Sequence, residues 1–125
     1  MKTKNDPRHQ KRIKIIKALY STKFAHTNPI NLFENKEKFN RIIKELTEIN
    51  LLIDKFTTRF TSDKMSKLDL SILQLGVYEI KYEKKVPYRV VIDECIEIAK
   101  EFGAINSAKF INAVLGKLVE QNNEK

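Results

Sequence analysis

From Phe39 to Phe60 apolar side chains return at Phe39, Ile42, Ile43, Leu46, Ile49, Leu52, Ile53, Phe56 and Phe60, and no glycine or proline interrupts them. This is the i, i+3, i+4, i+7 recurrence of an amphipathic helix. It predicts one helix of roughly 25 residues or two stacked end to end, with Phe39 and Phe56 in the core. Three glycines and three prolines in 125 residues cannot supply the turns that a β-sandwich needs about every 8–12 residues. The expected fold class is all-α, a compact single domain with one core.

The remaining segments fit that class. Pro7 suits a first helical position with Asp6 as N-cap, and Ile13, Ile16, Tyr20 and Phe24 then form one face of a first helix. Lys11, Lys14 and Lys17 lie opposite, while Arg8 and Arg12 are expected on an overhanging end with both guanidinium groups free. Asn28, Pro29, Asn31 and Asn35 mark a connection. Thr61, Ser62 and Asp63 offer caps for a helix carrying Leu68, Ile72, Leu73, Leu75, Val77, Tyr78 and Ile80, apolar nearly all round and therefore central. Val86-Pro87 separates it from a helix over 88–102, in which Val91, Cys95, Ile98, Ala99 and Phe102 face inward and Asp93, Glu94, Glu97 and Glu101 face solvent. Gly103 and Ser107 read as C-cap and N-cap, and Phe110, Ile111, Val114, Leu115 and Leu118 mark the last helix. Residues 1–6 and 121–125 are expected to be flexible ends of the single 1–125 domain.

Charge is concentrated at one end. The first 24 residues hold eight Lys or Arg against Asp6 alone and carry +7 of the formal net charge of +8. Such a field attracts phosphates, so nucleic acid is the leading partner, although a solvated helix face fits the charge alone equally well.

Several function classes lack their chemistry. Gly76, Gly103 and Gly116 are too far apart for a phosphate-binding loop. His9 and His26 have neither a second cysteine nor a His-Glu-x-x-His pattern, so no metal site is expected. No nucleophile motif links Cys95 to a histidine, so neither catalysis nor a cofactor is expected. The lone Cys95 suits a reducing cytoplasm and reads as a core residue, and no apolar run is long enough to span a membrane. The basic N-terminus shares features with a transit peptide, but its tyrosine and aliphatic residues look built to pack.

Two stretches carry a family resemblance. Arg8-His9-Gln10-Lys11-Arg12 precedes Lys17-Ala18-Leu19-Tyr20-Ser21, and a longer register runs from Leu68 to Lys117. The latter includes Leu73-Gln74-Leu75-Gly76-Val77-Tyr78-Glu79, Val86-Pro87-Tyr88, Ile92-Asp93-Glu94, Glu97-Ile98-Ala99-Lys100, Phe102-Gly103 and Lys109-Phe110-Ile111-Asn112-Ala113-Val114-Leu115. These resemble the NusB family of transcription-antitermination proteins, with weaker matches at Phe39 and Ile53-Asp54. Ala113 stands in place of a usual glycine and Gln74 in place of a common arginine, and the connection before Phe39 is short enough that one short helix is expected to be missing.

The resemblance implies an all-α, compact single-domain helical bundle of about six to seven helices in two halves, and a non-catalytic protein that binds single-stranded boxA RNA of ribosomal RNA leaders with the ribosomal protein NusE, alongside other Nus factors and RNA polymerase. It implies that Arg8 and Arg12 hold phosphates, with Gln10 in place of another arginine and Lys11 adding charge. It also places Tyr20, Asp69, Asn106, Lys109 and Phe110 near the RNA. Tyr20 and Phe110 fall on apolar faces too, so packing stands beside RNA contact for both, and a homodimer would cover the same surface. Two alternatives remain: a helical protein-interaction module, and a stand-alone relative of the N-terminal domain of ribosomal-RNA cytosine methyltransferases, against which the chain's length argues.

Overall fold

The computed structural model describes residues 6–24, 36–57 and 65–123. Among them are six α-helices and no strand: α1 (Pro7–Ser21), α2 (Lys36–Lys44), α3 (Leu46–Lys55), α4 (Lys67–Val77), α5 (Tyr88–Phe102) and α6 (Ser107–Asn123), with a π-helical turn over Tyr78–Glu83 continuing α4. The connection before α2, Phe60 and the caps expected at 61–63 lie outside the described residues.

The apolar stripe from Phe39 resolves into the second of its two readings. The helix breaks at Glu45, where ψ is 9°, yet the Glu45 carbonyl still accepts from the Ile49 N–H at 2.9 Å. The buried face therefore passes across the break, from Phe39 and Ile42 on α2 to Ile49 and Ile53 on α3. Ile43 is exposed, and Phe56 is half-buried at the end of α3.

Every residue from Ser71 to Glu79 is buried, which makes α4 the central helix, packed by α1, α3, α5 and α6. α1 to α3 form one half of the bundle and α4 to α6 the other. Gly76 permits the close approach of that second half: a Cβ there would lie 3.0 Å from Leu115 Cδ1 and 3.2 Å from Cys95 Sγ. Cys95 is fully buried, and burial pushes its thiol up to about 12, as expected of a core residue.

Helix ends follow their chemistry. Asp6 caps α1, accepting from the Arg8 N–H at 2.8 Å, and Pro7 occupies the first position. Ser66 caps α4, and Gly103 ends α5 in extended backbone. Ser107 is the first residue of α6, and its Oγ accepts from the Ala104 N–H at 3.0 Å.

Three expectations are corrected. Neither guanidinium expected on an overhanging end is free: that of Arg8 is exposed but donates to Asp6, and that of Arg12 is enclosed by α1, the π-helical turn and α5. Glu94 does not face solvent with Asp93, Glu97 and Glu101 but turns inward to meet it. Phe102 and Phe24, assigned to inward faces, are both exposed, because each stands at the last turn of its face, beyond the reach of the core. No helix among the described residues is long and apolar enough to cross a membrane.

Candidate nucleic-acid interface

The basic face of α1 begins at its first turn. Arg8 is exposed and pairs with Asp6 at 3.1 Å, an arrangement that pulls the Asp6 carboxyl down to about 2. Gln10, Lys11, Lys14 and Lys17 are exposed along the same helix.

Arg12 has a different environment. Its Nε and Nη2 donate to the two carboxylate oxygens of Glu79, each at 2.8 Å, and Nη1 lies 3.5 Å from Glu94 Oε1. His9 Nδ1 meets the same Glu94 oxygen at 2.9 Å, while Lys38 lies 3.2 Å from Glu79 and 3.1 Å from Glu83. Burial opposes the Arg12 charge, but the hydrogen bonds and field of Glu79 outweigh it and hold the guanidinium more firmly protonated than in water. The network joins α1, α2, the π-helical turn and α5. It was missed in the sequence, although Glu79 offered a signal: a carboxylate within the all-apolar central helix requires a buried cation.

A second polar chain was also missed. Lys23 Nζ donates to the Leu19 carbonyl at 3.0 Å and to Gln74 Oε1 at 2.8 Å, and Gln74 in turn donates to Asn50 at 2.9 Å. Burial among neutral acceptors lowers the Lys23 amine to about 8.

At the other end of α1 the structure brings four of the sequence-selected residues together. Asp69 from the first turn of α4 and Asn106, Lys109 and Phe110 from the start of α6 line a cavity of about 670 Å³, closed on a third side by Phe56 and Thr57 at the end of α3. Asn106 and Lys109 are exposed, Phe110 half-buried. Asp69 is half-buried, and one of its oxygens, Oδ1, has no hydrogen-bond partner. Burial pushes its carboxyl up, opposed by a hydrogen bond from Ser107. That oxygen is itself screened from solvent, so a donor in the cavity reaches it only when the Asp69 side chain turns, and the unmet acceptor favours such a turn.

Tyr20 lies between the two groups. It is 39% exposed and meets Phe24 edge-on at 5.0 Å between ring centroids. Lys67, next in sequence to the cavity-lining Ser66, stands 5.7 Å over the Phe24 ring. Sequence reading had not selected Phe24 or Lys67. Aromatic rings interleaved with ammonium groups suit stacked bases and their phosphates. Among the described residues no group of three or more His, Cys, Asp or Glu is placed to hold a metal.

Fold and surface define an all-helical bundle in two halves, with a basic flank that leads from the first turn of α1 to a polar-aromatic cavity. The chain belongs to the NusB family, whose model matches residues 35–120. It is 32% identical over 134 aligned positions to the transcription antitermination protein NusB of Thermotoga maritima, covering 95% of this chain and 94% of that one. The protein of the same name from Coxiella burnetii is 35% identical over 128 positions, covering 91% and 93%. A solved structure of T. maritima NusB superposes with a TM-score of 0.79 at 32% identity, covering 96% of this chain and 93% of that one. A structure described as the antitermination factors NusB and NusE in complex with double-stranded RNA has the same fold, with a TM-score of 0.74 at 21% identity over 92% and 98% of the chains.

Proposed function

We propose that this chain is a non-catalytic transcription antitermination factor that binds single-stranded boxA RNA of ribosomal RNA leader transcripts together with NusE and so promotes processive transcription of ribosomal RNA operons. The observation that carries this reading is the convergence of Asp69, Asn106, Lys109 and Phe110 on one cavity, reached from the basic face of α1 through Tyr20, Phe24 and Lys67. The names of the relatives support it, as does the RNA-bound complex with NusE of a protein sharing the fold.

Each residue then has a physical task. Arg8 and Lys11 hold phosphates, with Gln10 between them as a hydrogen-bonding side chain. Tyr20 and Phe110 stack bases, while Asn106, Lys109 and the Asp69 carboxylate read base edges. Arg12, enclosed by Glu79 and Glu94, supports the RNA by fixing the helix that presents Arg8 and Lys11. NusE, other Nus factors and RNA polymerase are the protein partners, and the setting is the cytoplasm.

Fluorescence anisotropy with boxA and a scrambled RNA, each with and without NusE, tests the reading. A preference for boxA that NusE strengthens is expected. Equal affinity for both RNAs reduces the protein to a nonspecific cation, and no binding to either rejects an RNA role.

A further inference from the structure

α1 and α5 are bridged by side chains at a constant offset of 85 residues and so run in the same direction: His9 meets Glu94 at 2.9 Å, and Lys17 lies 5.5 Å over the Phe102 ring. Their first turns therefore share one end of the molecule, opposite the cavity. There the exposed Arg8 and Lys11 have basic neighbours from a distant part of the sequence. The segment 81–89 carries Lys81, Lys84, Lys85 and Arg89 against a single acid, Glu83. That acid is directed inward to Lys38, as Glu79 is to Arg12, so the carboxylates of the π-helical turn do not offset the surface cations. Asp93 and Glu97 lie one and two turns further along α5.

We propose that Lys84, Lys85, Tyr88 and Arg89 form a second single-stranded RNA contact, which extends the RNA surface past the first turn of α1 onto the start of α5. The proposal rests on the RNA-binding reading above and adds a site to it.

Two of the cations occupy positions that the fold itself disfavours. Lys84 has φ 54° and ψ 32°, the left-handed region in which a side chain is strained and glycine is not. Arg89 sits in the first turn of α5, which contains no acidic residue and where the helix dipole disfavours positive charge. Charge kept at two such positions has a use outside the fold. Tyr88 beside them is 37% exposed, with the Arg89 guanidinium carbon 5.9 Å from its ring centroid. A ring flanked by a guanidinium presents one surface for a base and another for a phosphate, which favours RNA over an acidic protein surface, for which charge alone suffices. Continuity with Arg8 and Lys11 favours the same occupant.

The test compares the wild-type chain with the triple variant Lys84→Gly, Lys85→Gln, Arg89→Gln. Lys84→Gly also relieves the backbone strain, so the variant is expected to fold, and a thermal melt checks this. Anisotropy is measured with a boxA-length RNA and with the same RNA lengthened at either end by about six nucleotides, within the range one binding surface covers. The wild type is expected to bind one of the lengthened RNAs more tightly than the short one. The triple variant loses that gain and keeps its affinity for the short RNA, and the salt slope on the lengthened RNA falls by about 2, the change that releasing three phosphates produces. Tyr88→Ala removes part of the gain without changing the slope.

A triple variant that matches the wild type on the lengthened RNAs overturns the proposal and is the result expected if the cluster serves an acidic protein. A wild type that binds the short RNA but gains nothing from lengthening overturns it too, while the boxA reading survives. A wild type that binds no RNA ends both.

Discussion

Arg12 and Glu79 form a buried bidentate pair, two hydrogen bonds of 2.8 Å between side chains only 9% and 1% exposed, and this pair fixes α1 to the end of the central helix. Two arginines four residues apart on one helix thus have opposite roles. Arg8 is at the surface and Arg12 is part of the fold.

Arg12→Ala is therefore expected to destabilise the protein by about 3 kcal/mol, the low end for breaking a buried pair, because Lys38 still neutralises part of the Glu79 charge. Arg8→Ala leaves the unfolding midpoint unchanged and weakens RNA binding. Urea unfolding of the two variants beside their RNA titrations separates the roles. An Arg12→Ala protein as stable as the wild type would show that the pair does not hold α1.

Glycines at two helix positions are expected to respond with opposite sign. Gly76→Ala forces a methyl against Leu115 and Cys95, and overpacking of about 1–3 kcal/mol exceeds a gain in helix propensity of about 1 kcal/mol. Gly116→Ala meets nothing within 4 Å and keeps the propensity gain. Thermal melts are expected to show a lower midpoint for the first variant and a higher one for the second.

The Lys23 amine titrates near 8 in the folded protein against 10.5 for an unperturbed lysine. Between those values the unfolded chain binds more protons than the native one, so raising the pH through this window favours the native state. The contribution is on the order of 1 kcal/mol, the amine being partly open to solvent. Comparison of the wild type with Lys23→Gln from pH 8 to 10.5 isolates it: the difference in stability between the two moves toward the wild type as pH rises. A constant difference would place the amine in water.

Periodicity made much of this fold legible. The stripe from Phe39 to Ile53, the all-round apolar α4, the Asp6-Pro7 start and the Gly103 stop all follow from local chemistry that does not depend on distant partners. What periodicity could not supply was the pairing of charges across 67 and 85 residues, Arg12 with Glu79 and His9 with Glu94. A helical wheel assigns every charge to water, and Glu94 shares its wheel face with solvent-exposed acids. The same limit hid Lys23 and Gln74. Of the candidate site, Asp69, Asn106, Lys109 and Phe110 came from family resemblance and converge on one cavity, whereas the exposure of Phe24 beside Lys67 could be seen only in three dimensions.

The most direct measurement of the central claim, that an exposed basic flank delivers RNA to the cavity, is the salt dependence of boxA binding. If about four phosphates are held, with a single-strand slope near 0.7 per phosphate, affinity falls roughly 50-fold between about 50 and 200 mM salt. Arg8→Ala is expected to make that dependence shallower by about one phosphate. An affinity that stays flat across the same salt range would contradict the account.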